Sequence, residues 1–189
     1  TPGAGGTWSV VTGFATGHVV TEAGRLFRYD TLAELQALAA GAPGGFHFDG
    51  VRLHLKMADG SSPAGHTVHA ARLEEGFVLD GRSFVRVEDL EIRHYGAGDY
   101  GKGVYLRQSS DCAVRGCRIH EVGSVGVWIK GGERHLVETN EIWDTSIAGW
   151  PWDSTKGSSA ENNAIVLTDA IGRGHVLRRN QVHRTFNGI

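Results

Sequence analysis

The sequence predicts an all-β solenoid, and three observations predict it. From Gly76 onward the chain repeats itself. Gly76-Phe77-Val78-Leu79-Asp80, Gly103-Val104-Tyr105-Leu106-Arg107, Gly126-Val127-Trp128-Ile129-Lys130 and Ala164-Ile165-Val166-Leu167-Thr168 are equivalent segments, and a fifth begins at Gly188-Ile189. The steps of 27, 23, 38 and 24 residues between them define a unit of about 23 to 24 residues with loops added, the period of a stacked-coil protein. Composition agrees: 28 glycines, four prolines and one methionine in 189 residues suit many short strands and tight turns better than a helical bundle. Finally, the units align residue by residue. Val87, Val114, Val137 and Leu177 fall in one column, Leu90, Cys117, Asn140 and Asn180 in a second, and Ile92, Ile119, Ile142 and Val182 in a third.

Before the repeat, residues 1–75 read as a small α+β cap over the first coil. Alternation in Trp8-Ser9-Val10-Val11 and His18-Val19-Val20 indicates short strands. A helix is expected over 31–40, with leucines at 32, 35 and 38, Asp30 as N-cap, and Gly41 and Pro43 as stops. The Asp49-Gly50 pair between two alternating runs predicts a hairpin over 46–56. Asp59 to Pro63 then forms a turn, and Thr67 to Ala70 a further strand.

Within residues 76–189, each unit makes three short strands around a triangular coil. Two-residue alternation turns Val104, Leu106, Val127, Ile129, Ile165 and Leu167 inward. Asn140 and Asn180 fall at the bend between the second and third strands, where stacked amides can bond the backbone of the next turn. Cys112 and Cys117, the only thiols, read as buried free cysteines. A leucine-rich repeat shares the period but would need a leucine comb and a helical return, and these units have neither.

These repeats, Gly103-Val104-Tyr105-Leu106-Arg107 followed by Cys112-Ala113-Val114-Arg115-Gly116-Cys117-Arg118-Ile119-His120, resemble the right-handed parallel β-helix of the pectate-lyase-like superfamily. Upstream, Gly44 to Gly50, Asp59 to Pro63 and Thr67-Val68 resemble the segment that precedes the helix in many secreted members. The resemblance implies a secreted or cell-surface protein acting on carbohydrate, by a lyase, hydrolase or epimerase reaction. It also implies that the outer face of the first strand of each coil is the floor of the substrate groove.

With 19 basic and 21 acidic residues the chain has no broad electrostatic footprint for nucleic acid, so no nucleic-acid partner is expected. No run of 18 apolar residues is present and the chain opens on no charged-then-apolar leader, so neither a membrane span nor a signal peptide is expected within it. The stop at Gly188-Ile189, at the start of a coil, reads as truncation of a longer protein, with self-association through the uncapped coil as a further expectation.

The outward positions of the first strand make two columns, Val78, Tyr105, Trp128, Val166 and Asp80, Arg107, Lys130, Thr168. An exposed Tyr105 on Trp128 beside charged residues reads as a working face. Two enlarged loops, 95–102 and 146–163, enter this strand from the same side and carry Tyr100, Lys102, Trp150, Trp152 and Asp153. Aromatic faces beside polar groups suit sugar rings, so Tyr105, Trp128, Trp150, Trp152, Tyr100 and Lys102 are the expected substrate-binding residues. For catalysis, Arg107 and Lys130 one rung apart repel, which favours a neutral Lys130 able to act as base while Arg107 neutralises a uronate carboxylate; Asp153 joins them. Asp80, Asp153 and Asp169 could supply oxygen ligands to a calcium ion. Hydrolysis would instead need a pair of carboxyls among Asp99, Asp153, Glu161 and Asp169. His94, His120 and His183 read as surface histidines, the last two being too far apart for one ion. The expectation is thus a polysaccharide-active protein, cleaving an acidic polysaccharide by β-elimination, with a glycoside hydrolase or a non-catalytic glycan-binding or structural module as alternatives.

Overall fold

The computed structural model describes residues 1–98, 100–145, 163–169 and 172–189. Apart from one short α-helix and two 3-10 turns, its regular elements are all strands. The N-terminal unit is a six-stranded sheet of β1 (Trp8–Val11), β2 (Val19–Thr21), β3 (Gly24–Arg28), β4 (Gly45–Phe48), β5 (Arg52–Lys56) and β6 (Val68–Ala70) in the order β1-β5-β4-β3-β2-β6. Only β3 and β4 run parallel, and β4–β5 is the expected hairpin. Helix α1 (Leu32–Gln36) is shorter than the sequence suggested. Its N-cap is Thr31 rather than Asp30, because Thr31 and Glu34 close a reciprocal capping box. It stops early because Lys56 Nζ donates to the carbonyls of Gln36 and Leu38 at 2.9 and 2.8 Å, satisfying acceptors that a longer helix would have used.

Four coils follow. The first contributes β7 (Glu75–Asp80), β8 (Arg86–Glu88) and β9 (Glu91–Arg93); the second β10 (Lys102–Arg107), β11 (Ala113–Arg115) and β12 (Arg118–His120). The third contributes β13 (Val125–Lys130), β14 (Leu136–Glu138) and β15 (Glu141–Trp143); the fourth β16 (Ile165–Thr168), β17 (Val176–Arg178) and β18 (Gln181–His183). Equivalent strands stack into three parallel four-stranded sheets, and the pairing is the expected one: Val78, Tyr105, Trp128 and Val166 are in register, as are Asp80, Arg107, Lys130 and Thr168. The inward columns form one continuous core, with Val104, Leu106, Val127, Ile129, Ile119 and Ile142 fully buried. Removing a Val or Ile side chain of this kind from water stabilises the fold by about 1.5–3 kcal/mol. The carbonyls of Asn187 and Gly188 accept from Ala164 and Ile165, so the fifth segment pairs where the repeat places it.

The N-terminal unit has its own core, built on Val19, Leu26, Phe46, Leu53 and Leu55. Expected as a cap over the first coil, it reaches further along the stack. Its hydrogen bonds run to the corner after the third strand in three successive coils: Gly17 N to Gly96 O, His18 to Glu121 O, and Arg25 to the carbonyls of Val122 and Asp144.

Candidate functional site

The first sheet places its outward side chains by backbone pairing alone, so the site begins with β10 and β13. Alternation predicts Lys102 on the same face as Val104, but a glycine breaks it. A Cβ on Gly103 would lie 2.5 Å from Ile119 Cγ2 and 2.7 Å from Gly126 O, so both Gly103 and the fully buried Val104 face the core. Lys102 is thereby turned to the outer face. Its Nζ lies 5.0 Å from the Tyr105 ring centroid and 5.3 Å from that of Trp128. Lys102 is a strand residue, buried at 5 % exposure, whose Nζ donates to Glu75 Oε1 at 3.2 Å and to Tyr100 O at 2.6 Å. Glu74 in turn accepts from the backbone N–H of Gly98 and of Tyr100, holding the loop against the strand.

Tyr105 and Trp128 meet at 5.5 Å with their rings tilted by 46°. The structure does not leave both rings exposed, as the sequence suggested. Tyr105 is half-buried, whereas Trp128 is 9 % exposed and donates through Nε1 to Thr168 Oγ1 at 2.8 Å. Trp128 therefore backs Tyr105 instead of offering an open platform. Val78, half exposed on the rung before Tyr105, continues the apolar strip.

The charged column also differs from expectation. Arg107 pairs with Asp80 at 3.6 Å, and Lys130 pairs with Asp169 at 2.9 Å. The Asp169 carboxylate accepts a hydrogen bond from Lys130 and attracts its charge, holding Lys130 above the usual lysine range and outweighing the repulsion of Arg107. Lys130 is thus a stable cation and not the depressed base the sequence suggested. Asp80 and Asp169 stand three rungs apart, about 14 Å at ordinary strand spacing, and each already serves a cation. They do not converge on one calcium ion, and among the described residues no three His, Cys, Asp or Glu side chains do. Asp153, Trp150, Trp152, Asp99 and Glu161 lie outside the described residues.

Sequence reasoning missed Glu75, Glu74 and Thr168 as supports of this face. It also placed His120 at the surface, whereas the structure buries it, stacked on Trp143 at 4.1 Å, with Trp143 stacked on His183 at 5.6 Å. The only available signal was the column position of Trp143 between the two histidines.

Three parallel sheets stacked coil upon coil, with the aromatic and charged columns on one of them, define a β-helix. The model of the right-handed beta helix region matches residues 64–189, more than half of the chain, and the chain belongs to this family. Comparison with curated proteins and with solved structures found no match.

Proposed function

We propose that the outer face of the first sheet binds an acidic polysaccharide and that the protein is polysaccharide-active, with β-elimination as the reaction class. One observation carries this reading. Beside the Tyr105–Trp128 strip stand two cations, Arg107 and Lys130, whose partners Asp80 and Asp169 are themselves 53 % and 61 % exposed. Exposed ion pairs are weak and readily exchanged, so a uronate carboxylate can take the place of Asp80 or Asp169 while its sugar ring lies on Tyr105. A neutral glycan would gain only the aromatic contact. In β-elimination the sugar carboxylate is neutralised, a base removes the proton α to it, and the bond to the leaving sugar oxygen breaks as a carbon–carbon double bond forms. Arg107 and Lys130 fit the first role. Lys130, held protonated, does not fit the second, so the base belongs to another residue.

Incubation with a panel of uronic-acid polymers tests both levels. Absorbance of an unsaturated product supports elimination, new reducing ends without absorbance point to a hydrolase, and binding without cleavage leaves a glycan-binding module. Failure to bind any acidic polymer removes the reading altogether.

A further inference from the structure

We propose that the junction between the N-terminal sheet and the coils is an acid-released clamp, closed while His18 and His94 are neutral and opened when they take up protons. The geometry is concentrated at one corner. His18, 3 % exposed in the loop before β2, uses Nε2 to donate to the carbonyl of Glu121 at 2.8 Å. His94 Nε2 and His120 Nδ1 both meet the same Glu121 carboxylate oxygen, at 3.1 and 3.2 Å. The His69 ring of β6 stacks on His94 at 4.2 Å, and Arg25 of β3 donates to the carbonyls of Val122 and Asp144 at 2.7 and 3.1 Å. The groups facing His18 are therefore Arg25, His94 and Glu121. Those facing His94 are His69, Arg93 and Glu121, and His120 also meets Glu91 at 3.2 Å.

A proton on His18 would sit without water beside the partly buried Arg25, which stays charged at neutral pH although desolvation pushes it down to about 10. Burial first, then Arg25, holds His18 well below the ordinary histidine value, and burial with His69 lowers His94 against the opposing pull of Glu121. The sign follows. With docked values below about 6.5, the released form binds more protons, so docking is complete above that pH and weakens as pH falls below it, by up to tenfold per pH unit per histidine.

Hydrogen exchange of the full chain tests this. Gly17 N is bonded to Gly96 O across the junction, and Val127 N to Ala164 O within the coils. Between pH 7.5 and 5.5 the protection factor of Gly17 should fall about tenfold or more while that of Val127 holds. The His18→Gln/His94→Gln variant, which retains a donor toward Glu121 O, should flatten the response. Parallel loss at both amides, an unchanged Gly17 or an undiminished response in the variant overturns the proposal. Should the variant be undocked already at pH 7.5, the wild-type comparison of the two amides decides alone.

Discussion

Lys130 shows how one neighbour reassigns a residue. Its column was legible from the repeat, because pairing register follows directly from aligned coils. Asp169 was not, since it lies one residue past the Thr168 column, in a turn where its φ is +59°. Its reach to Lys130 depends on that turn and not on register. Lys102, expected in the entering loop, is instead the first residue of β10, and the crowding at Gly103 that turns it to the outer face is invisible to two-residue alternation. The pairing has a testable consequence. Asp169→Asn removes an internal competitor for Lys130, so affinity for a uronic-acid oligomer should rise roughly two- to fivefold, with no change for its neutral counterpart. Titration calorimetry at low salt reads this, and the gain should shrink as ionic strength rises.

At the level of elements, the asparagine ladder is the clearest success of sequence reasoning. Asn140 Oδ1 accepts from Cys117 N at 3.0 Å, its Nδ2 donates to Val114 O and Asn180 Oδ1 at 3.0 Å, and Asn180 Nδ2 donates to Val137 O at 2.9 Å. A second ladder went unseen because its residue type changes along the column. His135 Nδ1 accepts from Cys112 N at 3.2 Å, and His175 Nδ1 from His135 N at 3.4 Å. Outside the second sheet, Glu88, Arg115, Glu138 and Arg178 alternate in sign from coil to coil, with Arg178 Nε 2.7 Å from Glu138. This alternation opposes a slip by one coil, which would set like charges together. Asn140→Ala strands the buried Cys117 N–H and one acceptor, so it should lower unfolding free energy by about 2–4 kcal/mol in a urea melt. Asn180→Ala, at the more exposed end, should cost less.

For the whole molecule, the coils were readable because a solenoid writes each contact into its period, whereas the N-terminal sheet docks through contacts that no period encodes. His18, Arg25 and Glu121 are more than ninety residues apart in pairs across that junction and meet only in the folded chain. The first-sheet face is likewise a product of the stack, since Tyr105, Trp128, Arg107 and Lys130 come from two coils and their supports Glu75, Asp80, Thr168 and Asp169 from two more. This face is proposed to take an acidic glycan. Calorimetric titration of a uronic-acid oligomer into wild type and Tyr105→Ala/Lys130→Ala tests it most directly. Wild type should bind measurably and the variant at least about tenfold more weakly, with a melting temperature lowered by only a few degrees, since the half-buried Tyr105–Trp128 contact is lost while the coil core is untouched. Equal affinity in the two proteins, or a wild type that prefers the neutral oligomer, would contradict it.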